Sequence, residues 1–485
     1  VADIYRDQDE VPPDTIEITE EPETKQRHPT RPSWRPGMNF VKLLASLIIA
    51  IVTYLITYAL DLQLRMALVL LVLAAALWIT ESIPLAATSL LIALLQPLFG
   101  IQSFNEATTP FFNPVVVLLL GGFLLAIAVD RHDLDERMGE AILKRLGSKP
   151  RWIVLGLMLG TALLSMWISN TAAAALMVTV AIPVANRVED PKGKLQKIMI
   201  LAVAYSATLG GFMTLIGSPP NALAAAFLAQ PPATMSISFL GWSLYALPLA
   251  LVMIFVTWGI LFARFRTDIK YIPPIKSSSE RELTGRQKGT FVIFLFAVIL
   301  WLTEPFHPLN SAMVAAAIAV ILFVLGLLKR DDVKKVDWNT LLLFGGGLSL
   351  GAALQVSGLA DVITGRILTL VPVLGYVGVV ALLGIAALLF SMVASNTASA
   401  SIFIPISISV AISIGANPVI FAVLIAICSS IDFMLPIGTP PNAIAYSTGR
   451  VTMKDMITTG FALNILSLLV TLILAYFLWP LVPVM

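Results

Sequence analysis

A chain of 485 residues with 58% hydrophobic and only 12% charged side chains, at a mean hydropathy of +0.89, cannot be a water-soluble globule, which carries about 25% charge. The net charge of +2 implies no nucleic-acid partner, the single Cys428 allows no internal disulfide, and His28, His132 and His307 are too scattered to suggest zinc. Apolar runs long enough for about 30 Å of hydrocarbon recur from Phe40 to the C-terminus, without the alternating strands of an outer-membrane barrel, so an all-α polytopic membrane protein is expected.

Residues 1–37 hold nine acids, six prolines and no apolar face to bury, which predicts a disordered cytoplasmic tail. A basic end running directly into an apolar core is missing, so the tail does not read as a signal peptide. Arg27, Arg31, Arg35 and Lys42 flank the first span, residues 38–63, and favour a cytoplasmic N-terminus. The basic linker at 265–286, with Arg266, Lys270, Lys276, Arg281 and Arg286, is placed on the same side. When every apolar run is counted as a crossing, the shorter basic loop of Arg187, Lys192, Lys194 and Lys197 falls outside.

The rest of the chain repeats. Leu77-Trp78-Ile79-Thr80-Glu81 returns as Leu300-Trp301-Leu302-Thr303-Glu304, an offset of 304 − 81 = 223. Gly121-Gly122 returns as Gly346-Gly347 (346 − 121 = 225), Asn170 as Asn396 (396 − 170 = 226) and Asn221 as Asn442 (442 − 221 = 221). Landmarks in one order at a nearly constant offset define two homologous halves, residues 64–264 and 287–485, after the leading span. About five crossings per half give about 11 transmembrane helices, and an odd number per half makes the repeats inverted. The glycine-centred stretches from Asn113 to Val129 and from Trp338 to Leu354 are read as candidates to fold back as re-entrant hairpins. Glu81 and Glu304, each followed closely by proline, are expected at helix ends rather than in ion coupling.

Each half carries two polar interruptions. Ser169-Asn170-Thr171 and Ser395-Asn396-Thr397 are followed by Gly217-Ser218-Pro219-Pro220-Asn221-Ala222 and Gly438-Thr439-Pro440-Pro441-Asn442-Ala443. Small polar residues between apolar helices cost several kcal/mol unless their groups find partners, because lipid offers none. An unwound helix there exposes carbonyls for a hard cation, and the N-terminus of the next half-helix suits an anion. Asn serves both, having one acceptor oxygen and two donor hydrogens. A single such tripeptide would read as helix packing; two copies, each paired with a Pro-Pro-Asn loop, read as a binding site. No Lys or Arg occurs in these motifs, so a bound dianion would need co-bound cations.

These residues, and above all the run from Ser429-Ser430-Ile431-Asp432 through Gly438-Thr439-Pro440-Pro441-Asn442-Ala443-Ile444, resemble the divalent anion:sodium symporter family. The resemblance covers the chain from residue 40 onward. It implies a homodimer in a prokaryotic inner (cell) membrane, in which a transport domain moves as an elevator past a fixed scaffold. It implies substrate contacts from Asn170, Thr171, Asn396 and Thr397, with Ser218, Thr439 and Pro440 nearby. One sodium site would use Ser165, Ser169, Asn170 and the Gly217 backbone, the other Ser391, the Ala394 backbone, Asn396 and the Gly438 backbone. Asp432 stands where a small neutral residue is expected, either adding cation affinity, coupling protons or serving as a paired structural acid.

The expected function is import of a small divalent anion, a C4-dicarboxylate such as succinate or malate, with Na+ as coupling ion and no other cofactor. Sodium-independent di- or tricarboxylate exchange and sodium/sulfate symport are the alternatives. Gly347-Leu348-Ser349-Leu350-Gly351 matches a hydrolase pattern, but no strand precedes it and no histidine lies near, so it reads as a close-packed glycine segment and the chain as no enzyme. No phosphate-binding loop of an ATP-driven pump is present.

Overall fold

The computed structural model describes residues 36–144, 147–273 and 282–483, and every regular element among them is a helix. The acidic tail up to residue 35 lies outside the described residues, as do Lys276 and Arg281 of the linker. After α1 (Pro36–Ile56) the first half runs α2 (Leu62–Thr80), α3 (Leu85–Leu98), α4 (Phe104–Thr108), α5 (Pro114–Arg131), α6 (Leu134–Lys144), α7 (Pro150–Ser165), α8 (Asn170–Ala185), α9 (Lys194–Phe212), α10 (Pro219–Leu228) and α11 (Phe239–Phe265). The second half runs α12 (Gly285–Leu302), α13 (Ser311–Val324), α14 (Trp338–Val356), α15 (Leu359–Leu368), α16 (Val371–Ser391), α17 (Asn396–Ser413), α18 (Pro418–Cys428), α19 (Pro440–Ser447) and α20 (Met453–Phe477).

Helix starts follow local chemistry. Asn113, Asn310 and Asn417 cap α5, α13 and α18 by accepting backbone N–H bonds at 2.9 Å, and proline opens α5, α7, α10, α18 and α19, where its missing N–H would be unpaired anyway. Thr284 with Gln287, and Thr452 with Asp455, close reciprocal caps on α12 and α20.

Ten helical stretches among the described residues are long and apolar enough to cross a membrane, against about eleven expected. Helices α7 and α8, at 16 residues each, would span only about 24 Å, and they turn back on each other. The N-terminal end of α7 lies beside the C-terminal end of α11, where Trp258 Nε1 donates to Arg151 O at 2.9 Å. At the tip, Thr214 Oγ1 beyond α9 donates to Met166 O at 2.5 Å, so α7 runs parallel to α9 and α8 returns. Helices α16 and α17 form the matching hairpin: Ser399 Oγ donates to Ala387 O at 2.7 Å, and the Phe390 and Phe403 rings meet edge to face at 5.8 Å. The two tripeptides therefore sit at hairpin tips.

The re-entrant expectation for 113–129 and 338–354 is corrected: α5 and α14 are continuous there. Their glycines serve close approach. A Cβ on Gly121 would lie 2.5 Å from the Ala315 carbonyl oxygen of α13, Gly346 lies against Ser89 of α3, and Gly347 against Ser401. Each half thus packs its glycine helix on the other half's second helix, α5 on α13 and α14 on α3. Ser349 is buried in this seam, donating to Ala107 O and accepting from Gln96 Nε2, both at 2.7 Å.

The placement of the 187–197 loop is also corrected. Lys194 Nζ donates to Arg266 O at 3.1 Å and faces Asp268 at 4.0 Å, so this loop and the linker share one face. The hairpin returns instead of crossing, and both basic segments then obey the charge rule together. On that face Arg450 reaches Asn186 at 3.2 Å and Lys197 pairs with Asp455 at 2.7 Å. Helices α9 and α10 leave this face while α18 and α19 arrive at it, so the repeats are inverted.

Cysteines introduced at the exposed Lys192 and Tyr271, each in a Cys428→Ser background, are expected to react with an impermeant maleimide from the same side of sealed vesicles. Labelling from opposite sides would mean that the α7–α8 pair crosses.

Candidate functional site

Both tips and both Pro-Pro-Asn loops line one cavity of about 650 Å³. Ser169, Asn170, Thr171, Gly217 and Ser218 come from the first half, and Ala394, Asn396, Thr397, Gly438, Thr439 and Pro440 from the second. Four helices begin at the cavity, α8, α10, α17 and α19, each offering the positive end of its dipole. The α10 and α17 starts are left uncapped, since neither Ser218 nor Ser395 makes a capping bond, and Asn396 Oδ1 has no partner.

Ser165 stands just behind the first tip. Its Oγ lies 2.6 Å from both the Asn170 amide and the Ala207 carbonyl. With its nitrogen turned inward the Asn170 amide donates to Ser165 Oγ and to the Gly217 and Ala207 carbonyls, the last two at 3.2 Å. With its oxygen turned inward, four oxygens face one another, the donor set a hard monovalent cation takes from unwound helices. The Ala207 carbonyl was not among the expected ligands, and a backbone oxygen inside a helix leaves no mark in sequence.

The second half is not a copy. Ser391 is buried, but its hydroxyl donates back to Leu388 O at 2.9 Å instead of to Asn396. Asp432 is fully buried behind Gly438, outside the cavity lining. The Pro-Pro-Asn asparagines hold their loops: Asn221 Nδ2 donates to Gly211 O at 2.8 Å and Thr214 O at 2.7 Å, and Asn442 Nδ2 to Asp432 O and Leu435 O at 3.0 Å. Their role was legible only as the symmetric pair 221 and 442.

Around the wider cavity stand residues that the motifs did not flag, Lys42, Thr80, Thr208, Asp337 and Thr340. Lys42 supplies a cation the motifs lack, with its Nζ donating to Thr80 O at 3.1 Å. Asp337 follows the segment whose Asp332 pairs with Arg131 at the linker face, so the cavity opens toward that face. Glu81 ends α2 in a left-handed cap (φ 47°) on the cavity wall. Its mate Glu304 instead accepts Phe239 N at 2.8 Å, Ser311 N at 3.0 Å and Ser311 Oγ at 2.7 Å, tying together the starts of α11 and α13.

Truncating either loop asparagine strands buried carbonyls. Asn221→Ala and Asn442→Ala are each expected to destabilise the purified protein by about 2 kcal/mol, read as a lowered melting temperature in detergent. An unchanged melting temperature for both would mean that the loops hold without them.

The model of the sodium:sulfate symporter transmembrane region matches residues 37–485. The sodium-dependent dicarboxylate transporter SdcS of Staphylococcus saprophyticus is 32% identical over 436 residues, covering 83% of this chain and 84% of its own, and SdcS of Staphylococcus aureus is 32% identical over 441 residues, 84% of each. Among solved structures, the YdaH transporter of Alcanivorax borkumensis shares the fold at a TM-score of 0.57 and 15% identity, with 80% of this chain and 90% of that one covered. The motifs, the inverted halves and the match along nearly the whole chain agree: this protein belongs to the sodium:sulfate symporter family, the divalent anion:sodium symporters.

Proposed function

We propose that the protein imports a C4-dicarboxylate such as succinate or malate together with sodium, as a homodimer whose transport domain moves as an elevator. The observation that supports this most is the convergence of two oxygen-rich hairpin tips and four helix N-termini on one cavity with no Lys or Arg in the motifs. A dianion brought there from water meets oriented amides and hydroxyls but no fixed positive charge at the tips. Two co-bound sodium ions neutralise it, which couples the anion to the sodium gradient.

In this reading Asn170 and Asn396 each turn an oxygen toward a sodium and an N–H toward a substrate carboxylate. Thr171, Thr397, Ser218 and Thr439 add hydroxyl donors, and Pro440 packs beside the substrate. Sodium 1 takes Ser165, Ser169, Asn170 and the Gly217 carbonyl, and sodium 2 takes Ser391 and Asn396 with the Ala394 and Gly438 carbonyls. The relatives named as sodium-dependent dicarboxylate transporters support the choice of carboxylate over sulfate. The shared basic face of linker and 187–197 loop supports a cytoplasmic N-terminus in the inner membrane. The homodimer and the elevator rest on the family resemblance, and the packing of α10 on α17 and of α19 on α8, each across the two halves, is compatible with a body that moves as one.

Proteoliposomes holding the purified protein are expected to accumulate radiolabelled succinate when sodium is outside, and to lose that uptake when choline replaces it. Asn170→Ala and Asn396→Ala are each expected to reduce uptake at least 100-fold while still inserting and assembling. Undiminished succinate exchange in choline would replace symport by sodium-independent exchange, and normal uptake by either variant would move the site elsewhere.

A further inference from the structure

Asp432 breaks the symmetry of the two halves at one atom group. The offset of 221 that relates Asn221 to Asn442 also relates Gly211 to Asp432 and Gly217 to Gly438. The local geometry repeats, with each loop asparagine donating to the carbonyl of the corresponding residue, Gly211 or Asp432. In the first half a side chain at 211 has no room: a built Cβ lies 2.5 Å from the Asn170 amide, the group at the centre of the four-oxygen cluster. The direction from this backbone position therefore leads into the ion-binding tip. In the second half that direction is occupied by a carboxylate, which lies against Gly438, the counterpart of Gly217.

The surroundings of that carboxylate lack a balancing group. Asp432 is wholly buried, and neither carboxylate oxygen has a hydrogen-bond partner. The backbone amides of Met434 and Leu435 lie on its side without reaching hydrogen-bond geometry. Two further buried oxygens in this half are unpartnered, Asn396 Oδ1 at the hairpin tip and Asn442 Oδ1 on the loop. No Lys, Arg or His pairs with Asp432 among the described residues. A buried anion without a counter-charge is costly by itself, and a dehydrated cation would complete it.

We propose that Asp432 is an anionic ligand of the second cation site, so that this site takes up sodium in the absence of the organic anion, ahead of the uncharged first site. The inference rests on the sodium-coupled reading and assigns the order within it. With the second site empty, the Asp432 charge repels an incoming dianion; with sodium bound, that repulsion is cancelled and the α17 tip becomes an anion site. The first site, built from neutral oxygens, fills together with the substrate.

The test is sodium binding to the purified protein without any dicarboxylate, titrating sodium chloride against choline chloride at constant ionic strength and reading binding heat and melting temperature. The wild type is expected to show saturable sodium binding. Asp432→Asn and Asp432→Gly, the latter restoring the residue found at position 211, are expected to raise the half-saturating sodium concentration at least tenfold. If Asp432→Gly binds sodium as the wild type does while wild-type succinate uptake remains sodium-driven, the inference is wrong and symport stands. Uptake by the wild type that is equal in choline would instead remove the symport reading itself.

Discussion

Hydrocarbon offers no hydrogen bond, and the helices of this protein are arranged around that fact. Each backbone group within the bilayer has to be paired inside the protein, so helices persist even where glycine weakens them, as along α5 and α14. Among the described residues, the chain breaks its helices inside the packed body at four places where the freed groups have something to hold. Those places are the two hairpin tips and the two Pro-Pro-Asn loops, and all four face one cavity. The loops are kept open by Asn221 and Asn442, each spending its amide hydrogens on carbonyls of the preceding turn. Asparagine suits this role because its two donors on one planar group can bridge two carbonyls that no longer have helical partners.

Small residues decide how the halves hold each other. Gly121 against Ala315 and Gly346 against Ser89 let helices from opposite halves approach until their backbones touch. In lipid, association gains nothing from hiding apolar surface, so close contact of this kind and buried polar pairs such as Gln96 with Ser349 supply the attraction. Trp167, Phe239 and Trp301 add a stack of parallel rings, at 5.2–6.4 Å between centroids, that joins the first tip to α11 and α12. The tip is thereby anchored on its outer side while its polar side faces the cavity.

The electrostatics of the cavity are graded. At its centre the tips present dipoles and uncharged oxygens, and full charges stand farther out in Lys42, Glu81 and Asp337 or behind the wall in Asp432. Dipoles fixed by the fold need no reorganisation when an ion arrives. A lysine at the tips would put a fixed full charge where the fold presents only dipoles.

The sequence carries the membrane class, the two halves and the motif residues, because composition, period and repeat offset are local quantities that lipid selects directly. It also placed Glu304 at helix ends, since an acid followed by proline at the end of an apolar run has few other uses. That α7–α8 and α16–α17 are hairpins emerges from packing, because an apolar run of 16 to 21 residues that turns back looks in sequence like one that crosses. That single ambiguity moved the 187–197 loop to the opposite face and shifted the re-entrant reading onto α5 and α14. The Ala207 carbonyl, the inward turn of Ser391 to its own helix and the approach of Lys42 to the cavity were equally hidden. Each depends on which side a helix presents to a neighbour distant in the chain, and neither residue type nor spacing encodes that.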